Sequence, residues 1–224
     1  MSISKEIRKR LEEAGKRFHG NDNIAEYIKE GELQQLQDEV TEKFQEVLNT
    51  LVIDTANDHN TQETAKRVAK MWIREIFGGR YIPEPRVTSF PNMGYKSMYT
   101  SGPISIRSTC AHHFQNIVGN AWVGIIPNGE VIGLSKFNRI IHHIVERPQI
   151  QEEMTTQIAE ALQEYAHTKN IAVVVKAEHH CMTHRGVREH DSDMTTAIML
   201  GHFKEDPATR DEFYKICLSM KGHG

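Results

Sequence analysis

The spacing of the apolar residues changes near residue 103, and this change limits the chain to a mixed fold. Between Leu33 and Leu51, apolar residues recur at three- and four-residue steps, which is the period of an amphipathic helix. From Ile104 to Arg107 they occupy alternate positions, which is the period of a half-buried strand. The sequence therefore predicts an α+β chain whose first third is helical.

Local signals place the other elements of the helical part. A second helix is predicted to open at Asn60, with Glu63 as its capping-box partner, and to stop at Gly78 and Gly79. The segment 80–103 holds four prolines and little periodicity, so it is predicted to connect the two parts and to run into an edge strand.

Four strands and three helices are predicted beyond this segment. The strands cover 104–107, 117–126, 171–181 and 195–200, and the first two form an antiparallel pair. The helices start near Ser135, Pro148 and Asp211, with proline suited to a first helical position. The predicted domains are an N-terminal helical arm, 1–82, and an α+β domain, 83–224.

Composition narrows the possible partners and location. The 224 residues carry a formal charge of −3, so no global positive field attracts a nucleic-acid polymer. No apolar run is long enough for a membrane span, and the amino terminus lacks a secretory h-region. Three cysteines are too few and too scattered for a disulfide framework. A cytoplasmic protein without a membrane is expected.

Cysteine and histidine are grouped in two places. Cys110 and His113 lie three residues apart, a spacing that can converge on one ion. On a strand, His179 and Cys181 would share one face, whereas Glu178 and His180 would share the other. Two thiolates and an imidazole suit zinc and leave a position for water. The alternative is that the cysteines are small buried hydrophobes, as expected for Cys217 in the terminal helix.

A basic cluster offers a site for an anion. Ser135 is predicted to be an N-cap, with Lys136 and Arg139 one turn apart behind it, and Arg185 follows Cys181. The alternative is a solvated basic helix face. Glu152 falls in a predicted first helical turn, where a carboxylate either complements the helix dipole or accepts hydrogen bonds from a ligand.

Four segments in this order, with matched spacing, resemble the GTP cyclohydrolase I family. They are Ser108–Phe114, Ile132–Arg139, Arg147–Glu152 and His179–Val187. The stretch Arg67–Lys70 is similar to the helical arm of that family, and the resemblance runs from about residue 35 to the end. No single motif is specific, but the four together are.

The resemblance implies an architecture and a set of site residues. The family has the tunnelling fold, two antiparallel strand pairs around two helices, and assembles as a homodecamer with active sites between subunits. By resemblance, zinc is held by Cys110, His113 and Cys181, and protons are transferred by His112 and His179. Guanine is anchored by Gln151 and Glu152, and ribose by Ser135. The triphosphate is bound by Lys136, Arg139 and Arg185, helped by Arg67 and Lys70 from a neighbouring subunit.

The resemblance also implies a reaction. The guanine imidazole ring of GTP is opened by hydrolysis, C8 leaves as formate, and the remainder rearranges to 7,8-dihydroneopterin triphosphate. Such a product serves pterin and tetrahydrofolate synthesis and one-carbon metabolism, or a deazaguanine pathway. Several positions depart from the family pattern, and one of them lies inside the metal motif, where Ala111 stands in place of the usual glutamate.

Two other functions use similar residues. A zinc nucleotide deaminase shares the metal chemistry, but its His/Cys-x-Glu and Pro-Cys-x-x-Cys elements are missing from this sequence. A structural zinc module that binds a nucleotide as an effector would release no formate, whereas the enzyme would.

Overall fold

The N-terminal unit is helical. The computed structural model describes residues 2–220, and the chain divides into two compact units, Met1–Pro83 and Glu84–Gly224. The helices of the first unit are α1 (Ile3–Glu13), α2 (Glu32–Thr50), α3 (Thr64–Met71) and α4 (Gly78–Tyr81), with a 3₁₀ turn at Ala25–Tyr27 and a π-helical turn at Trp72–Ile76. Apolar side chains from α1, α2 and the π turn form its core, including Leu11, Leu36 and Ile73. The predicted helix over 33–51 is confirmed as α2.

The second predicted helix has different bounds. It starts at Thr64 rather than Asn60, and Glu63 makes no side-chain capping bond, so the predicted capping box is wrong. The reason is a turn around Asp58, whose carboxylate accepts hydrogen bonds from the Asn60 amide at 3.0 Å and the Thr61 hydroxyl at 2.9 Å. Local side-chain bonds of this kind compete with helix formation.

The predicted stop at two glycines agrees with where the helical run from Thr64 ends. The π-helical turn finishes at Ile76, and the break is at Phe77, whose φ is −117°, directly before Gly78. What the sequence did not predict is that Gly78 and Gly79 themselves begin a further short helix, α4.

The second unit contains strands and helices. The strands are β1 (Ser89–Pro91), β2 (Tyr99–Cys110), β3 (Asn116–Ile125), β4 (Glu130–Ile132), β5 (Pro148–Gln149), β6 (Ile171–His179) and β7 (Asp193–Met199). The helices are α5 (Leu134–Val145), α6 (Gln151–Ala166), α7 (His180–Thr183), α8 (His202–Glu205) and α9 (Pro207–Ser219). The α+β class is confirmed.

One sheet of five strands organises this unit, in the order β5-β2-β3-β6-β7. The pairs β2–β3, β3–β6 and β6–β7 are antiparallel, whereas the short β5 runs parallel to β2. The predicted antiparallel pair is confirmed as β2–β3. Strands β1 and β4 form a separate antiparallel pair.

Helices cover both faces of the sheet. Alternate residues of β6, among them Val173 and Val175, are fully buried in a core that includes Ile141 of α5 and Ile158 of α6. The residues between them, such as Val174, pack on the opposite face against Phe203, Phe213 and Cys217. Cys217 is therefore a core residue, as predicted. No helix of the described residues 2–220 is long and apolar enough to cross a membrane.

The predicted helix start at Pro148 is wrong. Pro148 and Gln149 form β5, paired with Thr109 and Cys110, and α6 begins only at Gln151. The Ala111 amide donates a further hydrogen bond to the Gln149 carbonyl at 3.0 Å. This long-range pairing fixes the backbone before α6 as extended and places the start of α6 beside the end of β2.

Candidate active site

Cys110 ends β2 at a tight turn that leads into β3. Its amide donates to the Gln115 carbonyl at 2.8 Å, and its carbonyl accepts from the Phe114 amide at 2.9 Å. Cys110 itself is 4% exposed, whereas the intervening residues His112 and His113 are exposed. The turn thus presents two imidazoles next to a buried thiol.

Cys181 lies on the helical turn α7 and not on a strand. The pairing of β6 with β3 ends at His179, opposite Ile117, and the chain then turns, with the His184 amide bonded to the His180 carbonyl at 3.1 Å. The predicted strand to Cys181, with His179 and Cys181 on one face, is therefore wrong. Only Asn116 of the described β3 lies beyond Ile117, so β3 provides almost no further partner residues to keep the chain extended after His179.

The thiols of Cys110 and Cys181 are neighbours despite this change. They are close enough for Cys110 to influence the ionisation of Cys181. Burial, and then the neighbouring Cys110 thiol, raises the pKa of Cys181 above its usual range. A bound cation would favour the thiolate form that these surroundings disfavour at Cys181.

The third predicted zinc ligand does not join them. Among residues 2–220, the three metal-ligating side chains whose ligand atoms all lie within 4.8 Å of one another are Glu178, His180 and His184; Cys110, His113 and Cys181 form no such group. Cys110 instead contacts the imidazole of His112, whose Nδ1 lies 3.7 Å from Sγ. Two neighbouring thiols beside two exposed imidazoles still suit zinc in their chemistry.

Buried Gln151 and half-buried His179 form a hydrogen-bonded pair close in sequence to Cys181. The Gln151 side chain is fully buried, and its Nε2 donates to the carbonyls of Val175 and Met194 at 3.1 and 3.0 Å. Its Oε1 therefore faces His179, at 2.8 Å from Nε2. Because an amide oxygen can only accept, His179 carries its proton on Nε2 and leaves Nδ1 unprotonated in the neutral ring.

Glu152 follows Gln151 on the first turn of α6 and is exposed. Burial lowers the pKa of His179 below its usual value, and the Glu152 carboxylate acts in the opposite direction. The carboxylate is thus close enough to influence the imidazole. Its position at a helix N-terminus also agrees with the alternative interpretation, in which the carboxylate only complements the helix dipole.

The predicted anion-binding residues are on the surface. Helix α5 starts at Leu134 with Gly133 as its N-cap, so the predicted N-cap role of Ser135 is wrong: Ser135 lies inside the first turn and makes no capping bond. Ser135 and Arg139 are exposed, and Lys136 is half-buried. They line the start of a helix that packs against β2 and α6.

The remaining predicted cations are exposed in different segments. Arg185 lies two residues after the end of α7 and four residues after Cys181. Arg67 and Lys70 lie on α3 of the N-terminal unit. Sequence reasoning missed the cluster of Glu178, His180 and His184, although Glu178 and His180 were predicted to share a strand face.

Comparison with known proteins decides the family. A family model described as GTP cyclohydrolase I matches residues 40–218. The chain belongs to the GTP cyclohydrolase I family. GTP cyclohydrolase 1 of Vibrio cholerae is 42% identical over 178 residues, which cover 79% of this chain and 82% of the relative. GTP cyclohydrolase 1 of Shewanella baltica is 40% identical over 178 residues, with the same two shares.

A third relative agrees with these two. GTP cyclohydrolase 1 of Aliivibrio fischeri is 42% identical over 176 residues, 78% of this chain and 81% of the relative. The resemblance to the GTP cyclohydrolase I family and the prediction of a hydrolase are confirmed. The matched stretch includes every predicted site residue from Arg67 to Arg185.

Proposed function

We propose that this chain opens the guanine imidazole ring of GTP by hydrolysis. C8 leaves as formate, and the remaining diaminopyrimidine rearranges with its ribose to 7,8-dihydroneopterin triphosphate. The observation that carries the proposal is the pair of neighbouring thiols, Cys110 and Cys181, together with the hydrogen-bonded imidazole of His179, two residues before Cys181, in a chain of this family.

Zinc is the cofactor that these donors favour. Cys110 and Cys181 would supply two thiolates, and His113 would supply the third ligand by turning in from the exposed loop between β2 and β3. A zinc ion held there would activate water as the nucleophile for C8 of guanine. Both cysteines must stay reduced, which fits a cytoplasmic location.

His179 is the proposed proton donor to N7 of guanine, a step that makes C8 electrophilic. Its Nε2–H is committed to Gln151, so Nδ1 is the nitrogen that takes up and delivers the proton. A pKa lowered by burial makes the protonated ring a stronger acid. His112, exposed on the turn beside Cys110, is the proposed second proton-transfer group.

Guanine recognition is assigned to Glu152. Its exposed carboxylate can accept two parallel hydrogen bonds, from N1–H and the exocyclic amine of the base. The Gln151 side chain is different, because both its amide nitrogen and its amide oxygen make hydrogen bonds within the protein. We therefore infer that Gln151 supports the base site by positioning His179, rather than by contacting guanine with its side chain.

The triphosphate and ribose need cations and hydroxyl donors. Ser135 would contact the ribose, and the phosphates would bind Lys136, Arg139 and Arg185, whose charged groups reach solvent. Arg67 and Lys70, exposed on α3, would complete the site from a neighbouring copy of the chain. Four charges on the triphosphate explain why so many cations are needed in a chain whose net charge is −3.

We also infer the tunnelling fold and a homodecamer. The hairpin β2–β3 and the pair β6–β7 supply two antiparallel pairs, with α5 and α6 packed on one face. Among the described residues, β7 pairs on one side only, and an unpaired edge is a template for another chain. Native mass spectrometry of the purified chain tests the assembly, and a monomer would contradict it.

Incubation with GTP separates this function from its two rivals. The proposed reaction releases formate and yields a pterin that fluoresces after oxidation. A deaminase would release ammonia instead, and a nucleotide-binding zinc module would release neither. Formate without ammonia supports the proposal, and ammonia without formate overturns it.

A further inference from the structure

A second group of metal-ligating side chains lies beside the thiol pair. Glu178, His180 and His184 each offer one ligand atom, and these atoms all lie within 4.8 Å of one another. The two imidazole rings approach to 4.0 Å between centroids. The proposed function uses none of these three residues.

The backbone explains why the three side chains converge. α7 is a single helical turn, and the His184 amide bonds to the His180 carbonyl at 3.1 Å. Residues four apart on a helix lie on one face, so both imidazoles point to the same side. Glu178 reaches that side from the end of β6, with Oε1 3.8 Å from Nε2 of His180.

A buried hydroxyl orients two of the three ligands. Thr183, 2% exposed, donates its hydroxyl hydrogen to Glu178 Oε1 at 2.7 Å. The hydroxyl oxygen of Thr183 also lies 2.9 Å from Nδ1 of His184. Because the only hydrogen of this hydroxyl is already donated to Glu178, the oxygen accepts a hydrogen bond from Nδ1–H. This bond leaves the Nε2 lone pair of His184 open. Metal-binding histidines are held in this way, with one nitrogen bonded to the protein and the other on the metal.

We propose that Glu178, His180 and His184 form a second metal site, for a divalent transition ion such as Zn²⁺, Co²⁺ or Ni²⁺. Two imidazoles and one carboxylate suit these ions, and a modest closure brings the ligand atoms to the ~3.3 Å separation of a tetrahedral site. The proposal does not depend on the reaction proposed above.

The helical turn separates this site from the thiols. Cys181 follows His180 directly, and neighbouring residues on a helix do not share a face. One segment therefore presents a thiol on one side and two imidazoles on another. Arg185 comes next in the chain, so an ion held by His184 would restrain the start of the proposed phosphate-binding segment.

Cobalt binding distinguishes the two sites by their donor atoms. The full-length protein, stripped of metal by a chelator, is titrated with Co²⁺ under reducing conditions. Thiolate ligands give strong near-ultraviolet charge-transfer absorption, and nitrogen and oxygen ligands do not. We expect about two Co²⁺ per chain by elemental analysis, with the charge-transfer band saturating at about one. Saturation of both measurements at one ion per chain would overturn the proposal.

Variants assign the second ion to its ligands. His184→Asn should lose the ion that gives no charge-transfer band and keep the thiolate-bound ion. Thr183→Val should lower the affinity for the ion without the band by about 10- to 100-fold. His190→Asn, an exposed histidine outside the cluster, is the matched control and should bind both ions. If His184→Asn still binds two ions, or if it loses the charge-transfer band instead, the second site is disproved.

Discussion

Oε1 of Gln151 lies 2.8 Å from Nε2 of His179, at the junction of helix α6 and strand β6. The amide nitrogen of Gln151 is held by two backbone carbonyls, which fixes the direction of the amide and hence the tautomer of the imidazole. A residue that the sequence suggested as a ligand-binding group thus has a structural reason to be glutamine.

Gln151→Leu should lower turnover with GTP by about 10- to 100-fold and leave the zinc content unchanged, because His179 loses the bond that orients it. The carbonyls left unpaired should lower the free energy of unfolding by ~1–3 kcal/mol. Nitrogen NMR of His179 should show Nε2 protonated in the wild type and a mixture of tautomers in the variant. Wild-type turnover in Gln151→Leu would contradict this positioning role.

His179→Ala should keep zinc but lose turnover by about a hundred- to ten-thousand-fold, as expected for a general acid. Cys181→Ala should lose both, since the remaining ligands bind zinc too weakly. Metal analysis and kinetics on the same preparations test the difference. Cys217→Ala, in the core behind the sheet, is the control and should change neither. Loss of zinc from His179→Ala would instead show that His179 is a zinc ligand.

Glu152→Ala should raise KM and lower turnover with GTP without releasing zinc. In the wild type, ATP should be rejected by about 10⁴-fold or more, because adenine presents an acceptor at N1 to the carboxylate. Inosine triphosphate keeps N1–H and lacks the 2-amino group, so it should fall between the two. Steady-state kinetics with the three nucleotides measures this order. Unchanged GTP kinetics in Glu152→Ala would reduce the residue to a helix-dipole partner.

Ala111→Glu tests the position inside the metal motif where the chain departs from the family pattern. Ala111 is exposed, and its amide is bonded to Gln149, so a longer side chain fits without rearrangement. We expect activity within a few-fold of the wild type. A gain of ten- to a hundred-fold, the usual size of effects next to a metal site, would show that the native site is impaired.

Local patterns predicted the elements, and long-range contacts decided their ends. The helical stripe over 33–51 and the burial of Cys217 depend on nearby residues, and both predictions are confirmed. The start of α6 depends on the pairing of Pro148 with Thr109, far along the chain, and no local signal reports it. The end of β6 depends in the same way on where β3 ends.

The candidate active site shows the same difference between local patterns and long-range contacts. Motifs identified Cys110 and Cys181, and the fold brings their thiols together. The buried hydrogen bonds of Gln151, on helix α6, were not predictable, because its partners Val175 and Met194 belong to strands β6 and β7. The His180–His184 pair was missed because the predicted strand ran through His180 to Cys181, whereas a helical turn at this point brings the ring of His184 beside that of His180.

The most direct test follows the C8 carbon of GTP. The zinc-loaded protein is incubated with GTP labelled with ¹³C at C8, and formate and the oxidised pterin are quantified together. The account predicts labelled formate and pterin in equal amounts, and neither with Cys181→Ala. Pterin that retains the ¹³C label without release of labelled formate, or no product from wild-type protein that retains its zinc, would contradict it.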